Sequence, residues 1–317
     1  MTDSSSADDL PVATIGVDPR FGRARVAAGG RPLADYVVVP TDAAVDSPRP
    51  YFHPVRTLSG REVTAFRPDD HVWHKGISWS LPFVGNENFW GGPTFSPEVG
   101  RYVQLRNNGA QVHREFIGLD AGEAGPSGSA DRMAHALDWI TENGQSIIEE
   151  RRTIAVALAA PDAWTLAFRT DMRNVSGEAL SLGSPTTRGR PDAGYGGLFW
   201  RGPADLEGAR VLTPAAEGGD ELRGSRAPWM AYSAGGGDGV TLVAVDDSGN
   251  VGHPTEWFVR TTEYAGLCPA PFFSTEYDLA ADATLTLRYA FVIADGASDS
   301  ERAASLAAAG AALAAGI

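Results

Sequence analysis

Cysteine is almost missing from this chain. Cys268 is the single one among 317 residues, so no intrachain disulfide can staple the fold. With no acid–base partner beside it, its thiol reads as a small buried hydrophobe. Long apolar runs are missing too: no stretch approaches the ~18 uncharged apolar residues of a membrane-crossing helix. Positive charge is scarce, with 26 Lys and Arg against 40 Asp and Glu and a net charge of −14. Phosphate backbones and anionic lipid surfaces both need a basic face, so neither nucleic acid nor membrane is expected as a partner. No Gly-X-Ser-X-Gly elbow occurs, which speaks against a serine hydrolase. No Gly-X-Gly-X-X-Gly follows a strand, which speaks against a nicotinamide site. The N-terminus, from Met1 to Asp9, is polar and acidic and lacks the basic and apolar regions of a signal peptide. The expected location is therefore the cytoplasm, with residues 1–10 disordered.

What the chain has in quantity is punctuation. With Gly at 37 positions and Pro at 21, most segments between them are short. Several alternate apolar and polar residues with period two: residues 12–17, 23–27, 153–158, 164–170, 239–245 and 284–293. These predict strands with one buried face. Gly235 to Gly239 predicts a hairpin turn, Asp171 to Gly177 another turn, and Asp120 to Asp131 a flexible loop. Only Ser298 to Gly310 reads as helix, opening on capping residues and running into alanines. No repeat of fixed period is visible. The pattern predicts an all-β fold, a large antiparallel two-sheet sandwich over residues 11–297, closed by a short C-terminal helix within 298–317.

Chemistry-bearing residues gather in three places. His53, His71 and His74 are three of the six histidines and stand close together in sequence, among Arg49, Tyr51, Arg56, Trp73 and Trp79. Imidazole exchanges a proton near neutral pH and also ligates metals. On a strand, His71 and His74 point to opposite faces, so joint metal ligation needs a bend. Asp69 or Asp70 can orient one imidazole and fix its tautomer. Tyr51 and His53 share a strand face, with Arg49 on the same side if the strand begins early. The second group is Asn250, His253, Trp257 and Arg260; Glu256, Phe258 and Arg260 share one strand face and Trp257 takes the other. The third is Tyr195 to Arg201, where paired glycines permit close backbone approach and Arg201 can face a cleft. Glu149 to Arg152, at the head of a strand, reads as an exposed charge cluster.

Taken together, these elements resemble a bacterial family labelled "PmoA-like", over about residues 49–296. The similarity rests on Tyr51-Phe-His-Pro54, on His71-Val-Trp-His-Lys-Gly76, and on Glu150-Arg-Arg-Thr153. It also rests on Asn250, His253, Pro254, Trp257 and Arg260, and on the strand Leu285 to Tyr289. Where relatives often carry a further histidine, this chain has Trp73. The family label points to a methane mono-oxygenase subunit, a membrane enzyme that needs spanning helices and copper; this chain has neither a span nor a copper cluster. The strand-rich layout is also similar to the galactose-mutarotase supersandwich. His74-Lys-Gly is similar to the His-Gly element of sugar-phosphate epimerases of that fold. The position of their catalytic glutamate holds Pro269 or Ala270 here, with Glu263 and Glu276 the nearest carboxylates.

The resemblance implies a carbohydrate-active enzyme acting on a sugar or oxidised (keto) glycoside by proton transfer, ending in epimerisation, elimination or hydrolysis. His53, His71 or His74 would act as acid or base. Arg49, Tyr51, Arg201, Asn250, His253 and Arg260 would bind the substrate, and Trp73, Trp79 or Trp257 would stack on its ring. No cofactor is expected. Two alternatives stand beside this: a non-catalytic sugar-binding sandwich using the same aromatics, and a divalent-metal enzyme with His71, His74 and His53 as ligands. The oligomeric state is left open.

Overall fold

Period-two alternation builds two large antiparallel sheets in the computed structural model, which describes residues 12–125, 128–236 and 238–317. The first has eight strands, in the order Ala13–Asp18, Arg23–Ala28, Arg31–Val37, Tyr51–Val55, Ile77–Ser80, Gly197–Arg201, Gly266–Ala270 and Glu256–Arg260. The second has nine, in the order Glu217–Gly218, Arg210–Leu212, Trp229–Ala234, Val240–Asp246, Thr284–Asp295, Ala163–Asn174, Ser146–Ala160, Gly128–Ile140 and Ala110–Gly125. Two small sheets hold the strands Tyr277–Leu279, Leu180–Gly183 and Phe83–Val84, and the hairpin Thr94–Ser96 with Arg101–Val103.

The inner faces of the two large sheets meet in one core. Trp79 of the first stacks on Tyr289 of the second and lies tilted against its neighbour Phe168, and Trp200 meets Tyr232 edge-on. Trp79, Trp164, Trp200 and Trp257 are all fully buried. Each large side chain so buried contributes about 1.5–3 kcal/mol. Strand alternation sorts the residues: Trp164, Leu166 and Phe168 enter this core, while Ala163 and Ala167 face outward. That outward face is paved with small residues and is covered by the helix Ser300–Ala315. Asp299 caps the helix, its side chain accepting from the Arg302 amide. The structure is thus an all-β sandwich with one C-terminal helix. Among the described residues no helix is long and apolar enough to cross a membrane.

Three local expectations are corrected. Asp171 is not in a turn: its strand continues to Asn174, paired on both sides. The segment expected as a loop from Asp120 is the end of a long hairpin, with strand to Gly125 and again from Gly128; residues 126–127 lie outside the described residues, as do 1–10, the predicted disordered segment. Glu149 to Arg152 is only half an exposed cluster. Glu150 and Arg152 point inward and are 2% and 0% exposed. They form an ion pair at 2.8 Å, completed by Trp139, Tyr36 and Gln111. Alternation places residues 150 and 152 on one face, and the charges persist there because each finds polar partners.

Candidate active site

The outer face of the eight-stranded sheet carries a second aromatic cluster, of Trp90, Phe199, Phe258, Tyr264 and Phe273, with Trp73 and Tyr195 packed against it. On the strand Gly197–Arg201, Leu198 and Trp200 enter the core while Phe199 belongs to this outer cluster. On Glu256–Arg260 the alternation is the same: Trp257 and Val259 inward, Phe258 outward. Loops of this sheet and of the small sheets surround these strands and leave a cavity of about 300 Å³. His71, Trp73, His74, Trp90, Tyr102, Arg190, Tyr195, Arg260, Glu263 and Tyr264 line it.

At one end His71 donates from Nδ1 to Asp70 Oδ2 at 2.7 Å. An ionised carboxylate only accepts, so this bond fixes the proton of a neutral His71 on Nδ1 and leaves Nε2 as the basic atom. Arg201 grips the same carboxylate through Nη2, at 3.0 Å to each oxygen. Burial pushes the Asp70 carboxyl up, but the bonds from His71 and Arg201 outweigh it, so the group sits below its ordinary range. Arg201 also donates through Nη1 to His74 Nδ1 at 3.1 Å. Since a guanidinium only donates, His74 is neutral with its proton on Nε2. Burial, with His71, Arg201 and Arg49 adding to it, drives its pKa far below the usual imidazole value. The two imidazoles stack face to face at 4.5 Å. Tyr264 lies against the Arg201 guanidinium at 4.1 Å.

Gly76 lets this constellation form next to the sheet. Its φ is +53°, and a Cβ there would lie 2.0 Å from the Phe52 carbonyl oxygen. The chain therefore passes from His74 directly into the strand Ile77–Ser80 without spacing it from its neighbour.

At the other end, Arg190 donates to the Tyr102 hydroxyl and lies over its ring at 4.6 Å. Tyr102 and Tyr195 share a hydrogen bond at 2.9 Å. Burial, with Tyr102 next, holds the Tyr195 phenol far above its ordinary value, so it stays protonated. Arg260 pairs with Glu263 at 2.8 Å. Tyr102, Arg190 and Trp90 were not singled out by the sequence, since they lie on irregular loops or a short strand where no periodicity marks a face.

The structure brings together His71, His74, Arg201 and Arg260 of the residues expected from the sequence, with Trp73, Tyr195 and Glu263. The others lie elsewhere. Trp79 and Trp257 are fully buried in the sandwich core and offer no face to a ligand. Arg49 is fully buried and spends its donors on the protein: Ser78 and the carbonyls of Asp46, Ser47, Trp73 and Trp90 accept from it. Tyr51 and His53 stack on Phe66 and do not line the cavity, and His53 Nδ1 bonds Thr64. His53 is therefore not placed to share a proton or a metal with His71. Asn250 and His253 fasten a turn: both bond Asp246, and Asn250 also ties to the backbone of Arg288. His253 lines a separate groove beside the C-terminal helix. Among the described residues no group of three or more His, Cys, Asp or Glu side chains is placed to hold a metal ion.

Three solved structures share low similarity. Heparinase III, the BT4657 gene product with methylated lysines, is 10% identical with a TM-score of 0.36, over 95% of this chain and 37% of its own. A mutant of the heparan sulfate lyase HepC from Pedobacter heparinus is 9% identical with a TM-score of 0.37, over 93% and 38%. The chain thus spans little more than a third of either. The Slr1438 protein from Synechocystis sp. PCC 6803 is 9% identical with a TM-score of 0.35, over 93% of this chain and 99% of its own. No curated protein matches the chain. A family model matches residues 23–308, which include every residue of the cavity, and the chain belongs to that family, DUF6807, a family of unknown function.

Proposed function

We propose that the cavity takes a sugar or an oxidised (keto) glycoside, and that His71 moves a proton at or near its carbonyl, leading to epimerisation, elimination or hydrolysis. The observation that carries this reading is the Asp70–His71 pair opening into an aromatic cavity. Asp70 holds the ring orientation and the tautomer, so Nε2 is the atom available to accept a proton from the substrate. As the imidazolium forms, the same carboxylate stabilises it. His74, kept neutral, donates from Nε2 to a substrate oxygen, and Arg260 anchors a second oxygen. Trp73, Trp90 and Tyr195 supply flat apolar faces, which suit the C–H face of a pyranose. The volume of about 300 Å³ sits at the lower end of the range for small-ligand sites, about 300–1,000 Å³, and so favours one or two sugar rings.

The test uses methyl β-D-glucopyranoside and its 3-keto derivative. Thermal shift reads binding, because a ligand of the folded form raises its melting temperature. Proton NMR in deuterium oxide reads exchange at the carbons flanking the ketone. His71→Ala is expected to lower exchange by about 10²–10⁴-fold. Its melting temperature should be retained, since the His71 side chain is 36% exposed. Exchange unaffected by His71→Ala and His74→Ala would remove the assignment. Binding without exchange in the parent protein would identify a sugar-binding sandwich that uses the same arginines and aromatics.

A further inference from the structure

We infer that the ligand of this cavity carries a carboxylate, as in a uronic acid or its glycoside, bound by Arg190; the inference rests on the sugar reading above and narrows it.

The arginines at the site are not equivalent. Arg201 spends its charge on Asp70, and Arg260 on Glu263. Arg190 has no carboxylate within 4.0 Å among the described residues, although the chain as a whole is acidic. The lining therefore holds two guanidiniums against one carboxylate, Glu263, and is locally positive. A recess of one sign in a low-dielectric wall concentrates ligands of the other.

The hydrogen bonds point the same way. Arg190 uses Nη1 for the Tyr102 hydroxyl, while its Nε and Nη2 meet no acceptor among the described residues. Those two atoms form the side edge of the guanidinium, whose two parallel N–H groups match the two oxygens of a carboxylate. Its position is fixed by the Tyr102 ring beneath it and by the Tyr102–Tyr195 hydroxyl bond behind it. One fork on one edge fits a planar carboxylate better than a phosphate, which usually gathers several cations.

The experiment compares methyl β-D-glucuronide with methyl β-D-glucoside by isothermal titration, and the galacto pair likewise, with glucose 6-phosphate as a third anion. The uronide is expected to bind about tenfold tighter or more than its neutral partner, the effect of one charge-assisted bidentate contact. Arg190→Gln should close that gap, lowering the uronide's affinity more than the neutral glycoside's. Arg190→Lys, which keeps the charge and loses the fork, should keep part of it. The melting temperatures of the unliganded variants show that both fold; if Arg190→Gln does not, Arg190→Lys and Tyr102→Phe give the reading. Equal binding of uronide and glycoside, a gap that survives Arg190→Gln, or a preference for glucose 6-phosphate overturns the carboxylate inference and leaves the sugar reading standing. A protein that binds none of these overturns the sugar reading itself.

Discussion

Arg49 donates through Nη2 to the carbonyl oxygen of Trp73 at 2.7 Å, from a position with no exposure to solvent. A second bond, from Nη1 to the Trp90 carbonyl at 2.8 Å, ties another lining segment to the same guanidinium. Burial lowers the Arg49 pKa to about 10, against the pull of Asp42 and Asp46, so the group stays charged at neutral pH. Arg49 thus shapes the site from beneath without touching its contents.

Arg49→Met should therefore act on both stability and binding. It leaves several buried carbonyls without a donor, each worth about 1–3 kcal/mol. A loss of at least about 3 kcal/mol in urea unfolding is expected, together with weaker glycoside binding. A variant that keeps full stability and loses binding alone would show instead that Arg49 contacts the ligand.

The pair Glu150–Arg152 gives a second test. Removing one partner leaves a charge inside the sandwich, so Glu150→Ala should cost about 3–5 kcal/mol. Replacing both with methionine and leucine is expected to recover most of that loss, because the two charges also lose their desolvation cost. Equilibrium unfolding of the two variants decides; equal losses would contradict it.

Acid should weaken the fold through its buried imidazoles. His135 is fully buried, and burial, with Arg152 and His113 adding to it, holds its pKa far below 6.5. His74 is shifted in the same direction. In the unfolded chain each takes up a proton near pH 6.5, while the folded chain keeps them neutral. The unfolded form therefore binds more protons below that value. Stability is whole above it and falls as the pH drops, by about 1.4 kcal/mol per pH unit for each group. Asp70, whose folded pKa is lowered, adds its own loss only as the pH falls below about 3.8. His53 and His113, also lowered by burial, add to the same slope. Urea midpoints from about pH 8 down to about pH 5 read that slope, which His135→Gln should reduce; an unchanged slope would refute the assignment.

Gly310 should resist the usual helix repair. Alanine for glycine inside a helix ordinarily adds about 1 kcal/mol. Here a Cβ would sit 2.9 Å from Val292 Cγ2 and 3.0 Å from Val245 Cγ2, on stiff β-branched side chains of the sheet. Gly310→Ala is expected to lower stability by about 1 kcal/mol, since overpacking costs about 1–3 kcal/mol. Ser305→Ala, on the exposed side of the same helix, should raise it by a few tenths. Calorimetry of the two variants separates packing from propensity.

Strand alternation was plain in the sequence, and so was the pairing of Phe258 with Arg260 on one face and Trp257 on the other. Which face is the inner one is not written in the alternation. Trp257 and Trp79 are large, aromatic and equally suited to a core or a sugar platform, and only the packing of the second sheet decides between them. Arg152 misled for a related reason. A charge at the head of a strand usually meets water, and its burial depends on Tyr36 and Gln111, 116 and 41 positions away along the chain. Arg190 and Tyr102 meet only through loop geometry, for which the chain carries no local signal.

The strands Gly197–Arg201 and Glu256–Arg260 hold the sandwich with every second residue and the cavity with those between. Selection can therefore exchange Phe258 or Arg260 without disturbing Trp257 or Val259. A scaffold wired this way can drift from one small molecule to another while its folding information stays constant.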